Sequence, residues 1–268
     1  MIDSHTHSIH SHDGHERIKT LVDKAESLGL EYYAITEHLD KDYKFGKKEK
    51  FCRQLNLPLY KKHFEKVKNN YKGNCYLAFG IELGYNKQLE NIYKEIIEKY
   101  DFDVVINSVH TLNGIEAYWG DCFKNKTQDE VYFKYLDELI NSANAPYNYN
   151  IISHIGYITR YAKYDDNSLY QDRYKEKIDI LLKTIIDKDR TLEINTHVHK
   201  NGMEFLPEKE ILERYFELGG RNITFSSDAH RKDFMCDKYD LAKKIVKEIG
   251  FTEWTVYEKG QPVKIKID

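Results

Sequence analysis

Five of the chain's twelve histidines fall within its first fifteen residues: His5, His7, His10, His12 and His15. They are interleaved with Ser, Thr, Ile and Asp, so the run is not a homopolymeric tag. Residues i and i+2 of a strand share a face. A strand opening at Met1 therefore projects His5 and His7 side by side. Neutral imidazole is the commonest protein ligand for borderline metals such as zinc. A lone His-x-His is weak evidence, but this stretch reads as the floor of a metal site whose walls lie downstream.

The walls are supplied by a repeated rhythm, in which a short apolar strand ends in a group able to bind a metal and a helix generally follows. Strand Tyr32–Thr36 leads to His38, Cys75–Ile81 to Glu82, and Phe102–Asn107 to His110. Tyr149–Ser153 leads to His154, Thr191–Ile194 to Asn195 and His197, and Asn222–Phe225 to Asp228 and His230. Helical spacing of apolar residues predicts helices over Glu16–Leu28, Tyr60–Tyr71, Leu89–Lys99, Tyr174–Asp187 and Tyr239–Ile249. Thr127 and Glu130 form a capping box that opens a helix running to about Ser142. Pro207 suits the first position of a helix over 207–218, which Gly219 and Gly220 stop. Trp254–Tyr257 and Val263–Ile267 read as a terminal hairpin or an edge strand.

Strands alternating with helices argue for a parallel sheet, and a barrel of that kind builds its site at the C-terminal ends of its strands. The expected fold is α/β, a distorted (β/α)7 barrel with a metal site at that face. No repeat or linker divides residues 1–268, so one domain is expected. Residues 41–72, rich in Lys and carrying Phe45, Phe51 and Tyr60, read as an insertion, either a lid or a solvated excursion.

Each strand-end residue alone has a duller explanation. Asp228 could be an N-cap, His110 a core histidine, and Glu82 the partner of a lysine. Chance does not readily put a metal-capable group at every strand end of one barrel face. His63, in a Lys-rich helix, stands outside the pattern and is expected to be solvated. Nitrogen and oxygen ligands without thiolate suit zinc, iron or manganese better than calcium or magnesium. Eight or nine such residues are too many for one tetrahedral ion. They call for two or three divalent metals, with Glu82 able to bridge. Clustered metals activate a water and neutralise charge in in-line displacement at phosphorus.

These residues resemble the polymerase and histidinol phosphatase (PHP) superfamily of metal-dependent phosphoesterases. The matching motifs are Asp3-Ser-His5-Thr-His7, Ile35-Thr-Glu-His38, Gly80-Ile-Glu82, Asn107-Ser-Val-His110, Ser153-His154 and Ser226-Ser-Asp228-Ala-His230. Within the superfamily the chain is most similar to stand-alone histidinol-phosphatases, through Tyr132–Tyr135, Ile155–Tyr161 and Gly260–Val263 as well.

The resemblance implies a hydrolase of phosphoric monoesters that converts L-histidinol phosphate to L-histidinol and phosphate in histidine biosynthesis. It implies one metal on His5, His7, Glu82 and Asp228, and a second on Glu82, His110 and His154. A third would sit on His38, His230 and a residue of the first loop, matched by Asp13 with His12 and His15 as competitors. Glu82, Asp228 and His230 would then be catalytic. Arg160 matches an arginine that holds the substrate phosphate, for which a planar guanidinium suits. Relatives carry a second basic residue after the sixth strand; here that stretch has no arginine, and His197, His199 or Lys200 would substitute.

Composition narrows the alternatives. The formal net charge of −3 at 32% charged residues gives no global attraction to nucleic acid. Cys52, Cys75, Cys122 and Cys236 are far apart and suggest neither a zinc ribbon nor a disulfide framework. No apolar run approaches the roughly 18 residues of a membrane span, and residues 1–15 have no signal-peptide core. A soluble, cytoplasmic enzyme with a small phosphate ester as its partner is expected, its oligomeric state left open. The 22 tyrosines point to no particular chemistry. The rival readings are a PHP phosphatase of another substrate, such as a protein-tyrosine phosphatase, and a non-catalytic metal-binding barrel.

Overall fold

The computed structural model describes residues 1–41, 54–197 and 204–268. Among them, seven parallel strands form one sheet: β1 (Ile2–Asp3), β2 (Tyr32–Leu39), β3 (Tyr76–Gly84), β4 (Val104–Ser108), β7 (Ile151–Ile152), β8 (Thr191–Asn195) and β9 (Ile223–Ser226), in that spatial order. The sheet curls until its ends meet. Ser4 N donates to Phe225 O at 3.0 Å, Asp228 N donates to His5 O at 2.8 Å, and Thr6 bridges Ala229 in parallel. This is the expected seven-stranded barrel.

Strands of such a barrel are covered on both faces and read as nearly continuous apolar runs. Tyr32, Tyr33, Ala34 and Ile35 of β2 are all buried. Helices α1 (Ile18–Ser27), α3 (Glu90–Lys99), α4 (Gln128–Ala143), α5 (Lys175–Asp187) and α7 (Tyr239–Ile249) lie close to their predicted bounds. Apolar residues at helical spacing face the sheet: Ile18, Leu21, Val22 and Ala25 in α1 are buried. The capping box of α4 is formed by Thr127 and Glu130.

Helix α6 (Lys209–Glu217) departs from expectation. Leu206 pairs with Asn195 through two backbone hydrogen bonds of 2.8 Å. Pro207 therefore belongs to the turn leaving that bridge, behind a cis Leu206–Pro207 peptide, and Glu208 is the N-cap.

Of the 41–72 insertion, residues 42–53 lie outside the described residues, Phe45 and Phe51 among them. Helix α2 (Leu57–Asn70) occupies most of the remainder and is part of the barrel wall. Its Tyr60 is fully buried and donates to Ile35 O at 2.7 Å and Gly80 O at 3.0 Å. Other tyrosines do similar work. Tyr93 donates to Gly84 O, Tyr149 to Ala143 O and Tyr32 to Tyr257 O. A large apolar ring fills the layer between helix and sheet while its hydroxyl satisfies a buried carbonyl.

Two antiparallel pairs complete the described residues. β10 (Glu253–Glu258) and β11 (Gln261–Lys266) form the expected terminal hairpin. β5 (Thr111–Leu112) and β6 (Ile115–Glu116) form a small hairpin after His110, followed by a 3-10 turn at Ala117–Trp119.

Candidate metal centre

Glu82, in β3 and only 1% exposed, stands at the middle of the strand-end residues. Its Oε1 lies 3.1 Å from Nε2 of both His110 and His154. Its Oε2 lies 3.2 Å from His5 Nε2, 3.5 Å from His7 Nε2 and 2.6 Å from His38 Nδ1. Asp228 Oδ1 approaches His7 Nε2 at 3.2 Å and His5 Nε2 at 3.6 Å. From the first loop, Asp13 reaches His230 Nε2 at 3.2 Å and His38 Nε2 at 3.7 Å. Candidate ligand atoms cluster as His5–His7–Asp228, Glu82–His110–His154, His7–His38–His230 and His38–Asp40–His110. Every one of the nine predicted metal residues is therefore brought to one face. His154 and Asp228 hold positive φ of 25° and 51°, a region sparsely populated by residues with a side chain and often seen at functional sites.

The competitors of Asp13 separate. His15 is exposed and meets His230 through its backbone N–H alone. His12 lies 3.6 Å from Asp13 with its ring beside His38. His10 turns away, its Nε2 3.1 Å from Nδ1 of the exposed His63.

Outer hydrogen bonds orient the imidazoles. Nδ1 of His5 meets Glu193 Oε1 at 2.7 Å, Nδ1 of His7 meets Ser11 Oγ at 3.1 Å, and Nδ1 of His110 meets Asp40 Oδ1 at 3.0 Å. Nδ1 of His230 meets the Asp228 carbonyl at 2.9 Å. In each case a proton on Nδ1 leaves the Nε2 lone pair facing inward, as metal-ligating histidines require. The loop carrying His7 is pinned by Glu37, which accepts hydrogen bonds from the backbone N–H and the hydroxyl of both Ser8 and Ser11.

The electrostatics call for positive charge. Burial pushes Glu82 up, but His5, His38 and His110 outweigh it and hold the carboxyl well below its usual range. Burial likewise pushes Asp228 up, and His5 and His7 bring it well below. Burial pulls His38 down, yet Glu82 and Asp13 lift it to about 9. Among the described residues, His5 Nε2, His7 Nε2, His38 Nδ1, Glu82 Oε2 and Asp228 Oδ1 are buried and face one another at ion-pair distance without a well-aligned hydrogen bond. Divalent cations fit this donor set of imidazole and carboxylate.

Beside the cluster opens a cleft of about 440 Å³. Arg160 lines it and is buried, its Nη2 donating to Asn195 Oδ1 at 2.8 Å while Nε has no partner. Asn195 in turn donates to Asp228 Oδ2 at 3.2 Å and Glu193 Oε2 at 3.1 Å. His197 lies at the same cleft with its ring 5.4 Å from that of His230; His199 and Lys200 lie outside the described residues. Tyr118, Trp119, Tyr157 and Tyr161 also line the cleft, with the Tyr157 ring 5.3 Å from the Arg160 guanidinium. A buried Glu116 accepts from the Tyr157 hydroxyl at 2.8 Å and the Tyr118 N–H at 2.7 Å.

Sequence reasoning missed Asp40 and Glu193 and gave Asn195 no role. The signal for Glu193 is an acid inside the apolar strand β8, two residues before Asn195 and so on its face. Asp40 stands two residues beyond His38 and by the same rule shares its side.

Residues 3–197 match the family model described as the PHP domain. A probable histidinol-phosphatase of Clostridium acetobutylicum is 34% identical over 87% of this chain and 88% of its own length. A histidinol-phosphatase of Lactococcus lactis subsp. lactis is 29% identical, covering 96% of this chain and 94% of its own. The crystal structure of a histidinol phosphate phosphatase from that bacterium, complexed with zinc, L-histidinol and phosphate, superposes with a TM-score of 0.88 at 28% identity, covering 98% of both chains.

Proposed function

The chain belongs to the PHP domain family, and on that premise we propose that it is a metal-dependent phosphomonoesterase hydrolysing L-histidinol phosphate to L-histidinol and phosphate, a step of histidine biosynthesis. The observation that carries this reading is a buried arginine with an unpaired Nε, set beside imidazole and carboxylate atoms that converge on the same cleft. A cation cluster next to a partly free guanidinium is a receptor for a phosphate ester.

Three divalent cations, zinc or alternatively iron or manganese, suit the three ligand groups. His5, His7, Glu82 and Asp228 would hold the first, Glu82, His110 and His154 the second, and Asp13, His38 and His230 the third. Bound there, such ions supply a water of lowered pKa and positive charge for the phosphoryl oxygens. The catalytic part of Glu82, Asp228 and His230 is to hold these ions at the reacting centre.

Arg160 donates to the phosphate, while Asn195 and, at 4.0 Å, Asp228 keep the guanidinium plane in place. His197 is the nearest described basic group able to assist; His199 or Lys200 would serve the same end from outside the described residues. Tyr118, Trp119, Tyr157 and Tyr161 offer flat faces to the planar imidazole ring carried by the departing histidinol. Residues 1–268 act as one catalytic unit on a small molecule in the cytoplasm, without nucleic acid. Among the described residues, no helix is long and apolar enough to cross a membrane.

Phosphate release from L-histidinol phosphate, an aryl phosphate and a phosphotyrosine peptide tests the substrate. The protein is loaded in turn with zinc, iron(II) or manganese. A strong preference for L-histidinol phosphate supports the reading. Equal or better cleavage of the aryl ester or the peptide leaves the chemistry and removes the substrate, and silence on all three with metal bound indicates a binding module.

A further inference from the structure

Gly84 ends β3, and its backbone is not in the left-handed region that calls for glycine. What it lacks room for is a side chain. A Cβ built on Gly84 would lie 1.8 Å from Asp40 Oδ1 and 2.8 Å from Asp40 Cγ. The register explains the collision: His38 pairs with Glu82 and Leu39 with Leu83, so the next residues, Asp40 and Gly84, meet. Tyr93 clamps both strands there, its hydroxyl donating to Gly84 O at 2.7 Å and Leu39 O at 3.2 Å.

The seat matters because of what Asp40 does with that oxygen. Oδ1 accepts from Nδ1 of His110, while Nε2 of the same ring faces Glu82 Oε1 at 3.1 Å and His154 Nε2 at 3.3 Å. We propose that Asp40, seated by the missing side chain of Gly84, is a positioning residue that fixes the tautomer and aim of His110, so that Gly84 governs cation retention at Glu82–His110–His154 without touching the cation. The proposal rests on the cation part of the proposed function and not on its substrate.

The test uses full-length Asp40→Asn, Asp40→Ala, Gly84→Ala and the Gly84→Ala/Asp40→Ala double variant. Zinc retention is measured by competition with a chelator. The tautomer of His110 is read from imidazole nitrogen chemical shifts in zinc-saturated protein. Asp40→Ala and Gly84→Ala are each expected to weaken retention of one zinc ion about 10- to 100-fold and to shift the His110 signal. Asp40→Asn, which keeps an acceptor for the His110 Nδ1–H, is expected to lose less; a loss as large as in Asp40→Ala would make Asp40 a ligand within His38–Asp40–His110 and overturn the positioning role.

If Gly84 acts only by seating Asp40, the double variant is no worse than Asp40→Ala alone. Additive losses, or unchanged retention and tautomer in Asp40→Ala, overturn the proposal. Should Gly84→Ala not fold, the two Asp40 variants decide it by the same readouts. Neither readout needs substrate. The predicted losses in a protein that ignores L-histidinol phosphate would support this proposal while sinking the substrate reading.

Discussion

Arg160 and Glu193 show how single side chains divide the labour of the site. Arg160 commits one terminal nitrogen to Asn195 and keeps Nε unpaired in a buried position, so Arg160→Ala removes a preorganised donor from the phosphoryl oxygens. The expected loss in kcat/KM is about 10²- to 10³-fold, with zinc content unchanged. Arg160→Lys recovers little, because a single ammonium does not reproduce the guanidinium fork. Equal kcat/KM in wild type and Arg160→Ala would remove the arginine from the mechanism.

Glu193 acts one shell further out. It meets His5 Nδ1 with one oxygen and accepts the backbone N–H of His154 with the other. Glu193→Ala is expected to weaken zinc binding about 10- to 100-fold, measured by metal content after dialysis against chelator; full metal content would contradict this. The residues that meet at the cluster could be read from the sequence because a histidine or carboxylate closing an apolar strand is a conspicuous type in a conspicuous place. Asp40, Glu193 and Asn195 could not be read so easily. Their roles depend on which strand lies beside which, and only the register of neighbouring strands reveals that.

At the scale of the element, tyrosine anchors and helix caps hold the helices onto the barrel. Tyr60 ties α2 to two adjacent strands through buried carbonyls of Ile35 and Gly80. Tyr60→Phe leaves those carbonyls short of a donor, at a cost of about 1–2 kcal/mol, observable in chemical denaturation as a lower midpoint at unchanged slope. Thr127→Ala breaks the exposed capping box at the start of α4. It is expected to lower the melting temperature by about 2–4 °C and to leave kcat/KM as it was; a kinetic defect would tie α4 to the site.

Helices with strong apolar periodicity and clear stops, such as α1 and α7, were legible in the sequence, and so was the terminal hairpin. Helix α2 was legible as a helix but not as barrel wall, since the burial of Tyr60 depends on partners far along the chain. Pro207 misled because its usual preference for a helix start yields here to the Asn195–Leu206 bridge. The β5–β6 hairpin, two residues to a strand, is too short to leave a pattern.

At the scale of the whole molecule, the metal cluster is also the joint that closes the barrel. β1 and β9 are the two ends of the sheet, and the segments just beyond them carry His5, His7, Asp228 and His230. Cations bound across that seam favour the folded chain over the unfolded one, so chelation is expected to lower the melting temperature and zinc to restore it. Imidazole must be neutral and carboxylate charged to bind metal, so acidification releases the cations. The seven-stranded count was legible because each strand ended in its own marker residue. Closure of the sheet was an inference from those converging markers, and the bridge between Thr6 and Ala229 is its physical form.

On this reading the array is a cation-dependent centre for cleaving L-histidinol phosphate. The most direct test is phosphate release from that ester by one preparation, measured as isolated, after stripping with chelator, and after reloading with zinc, iron(II) or manganese. Turnover that vanishes on stripping and returns with one of these ions is the predicted result. Turnover that survives complete removal of metal, or that no reloaded form shows, would contradict the account.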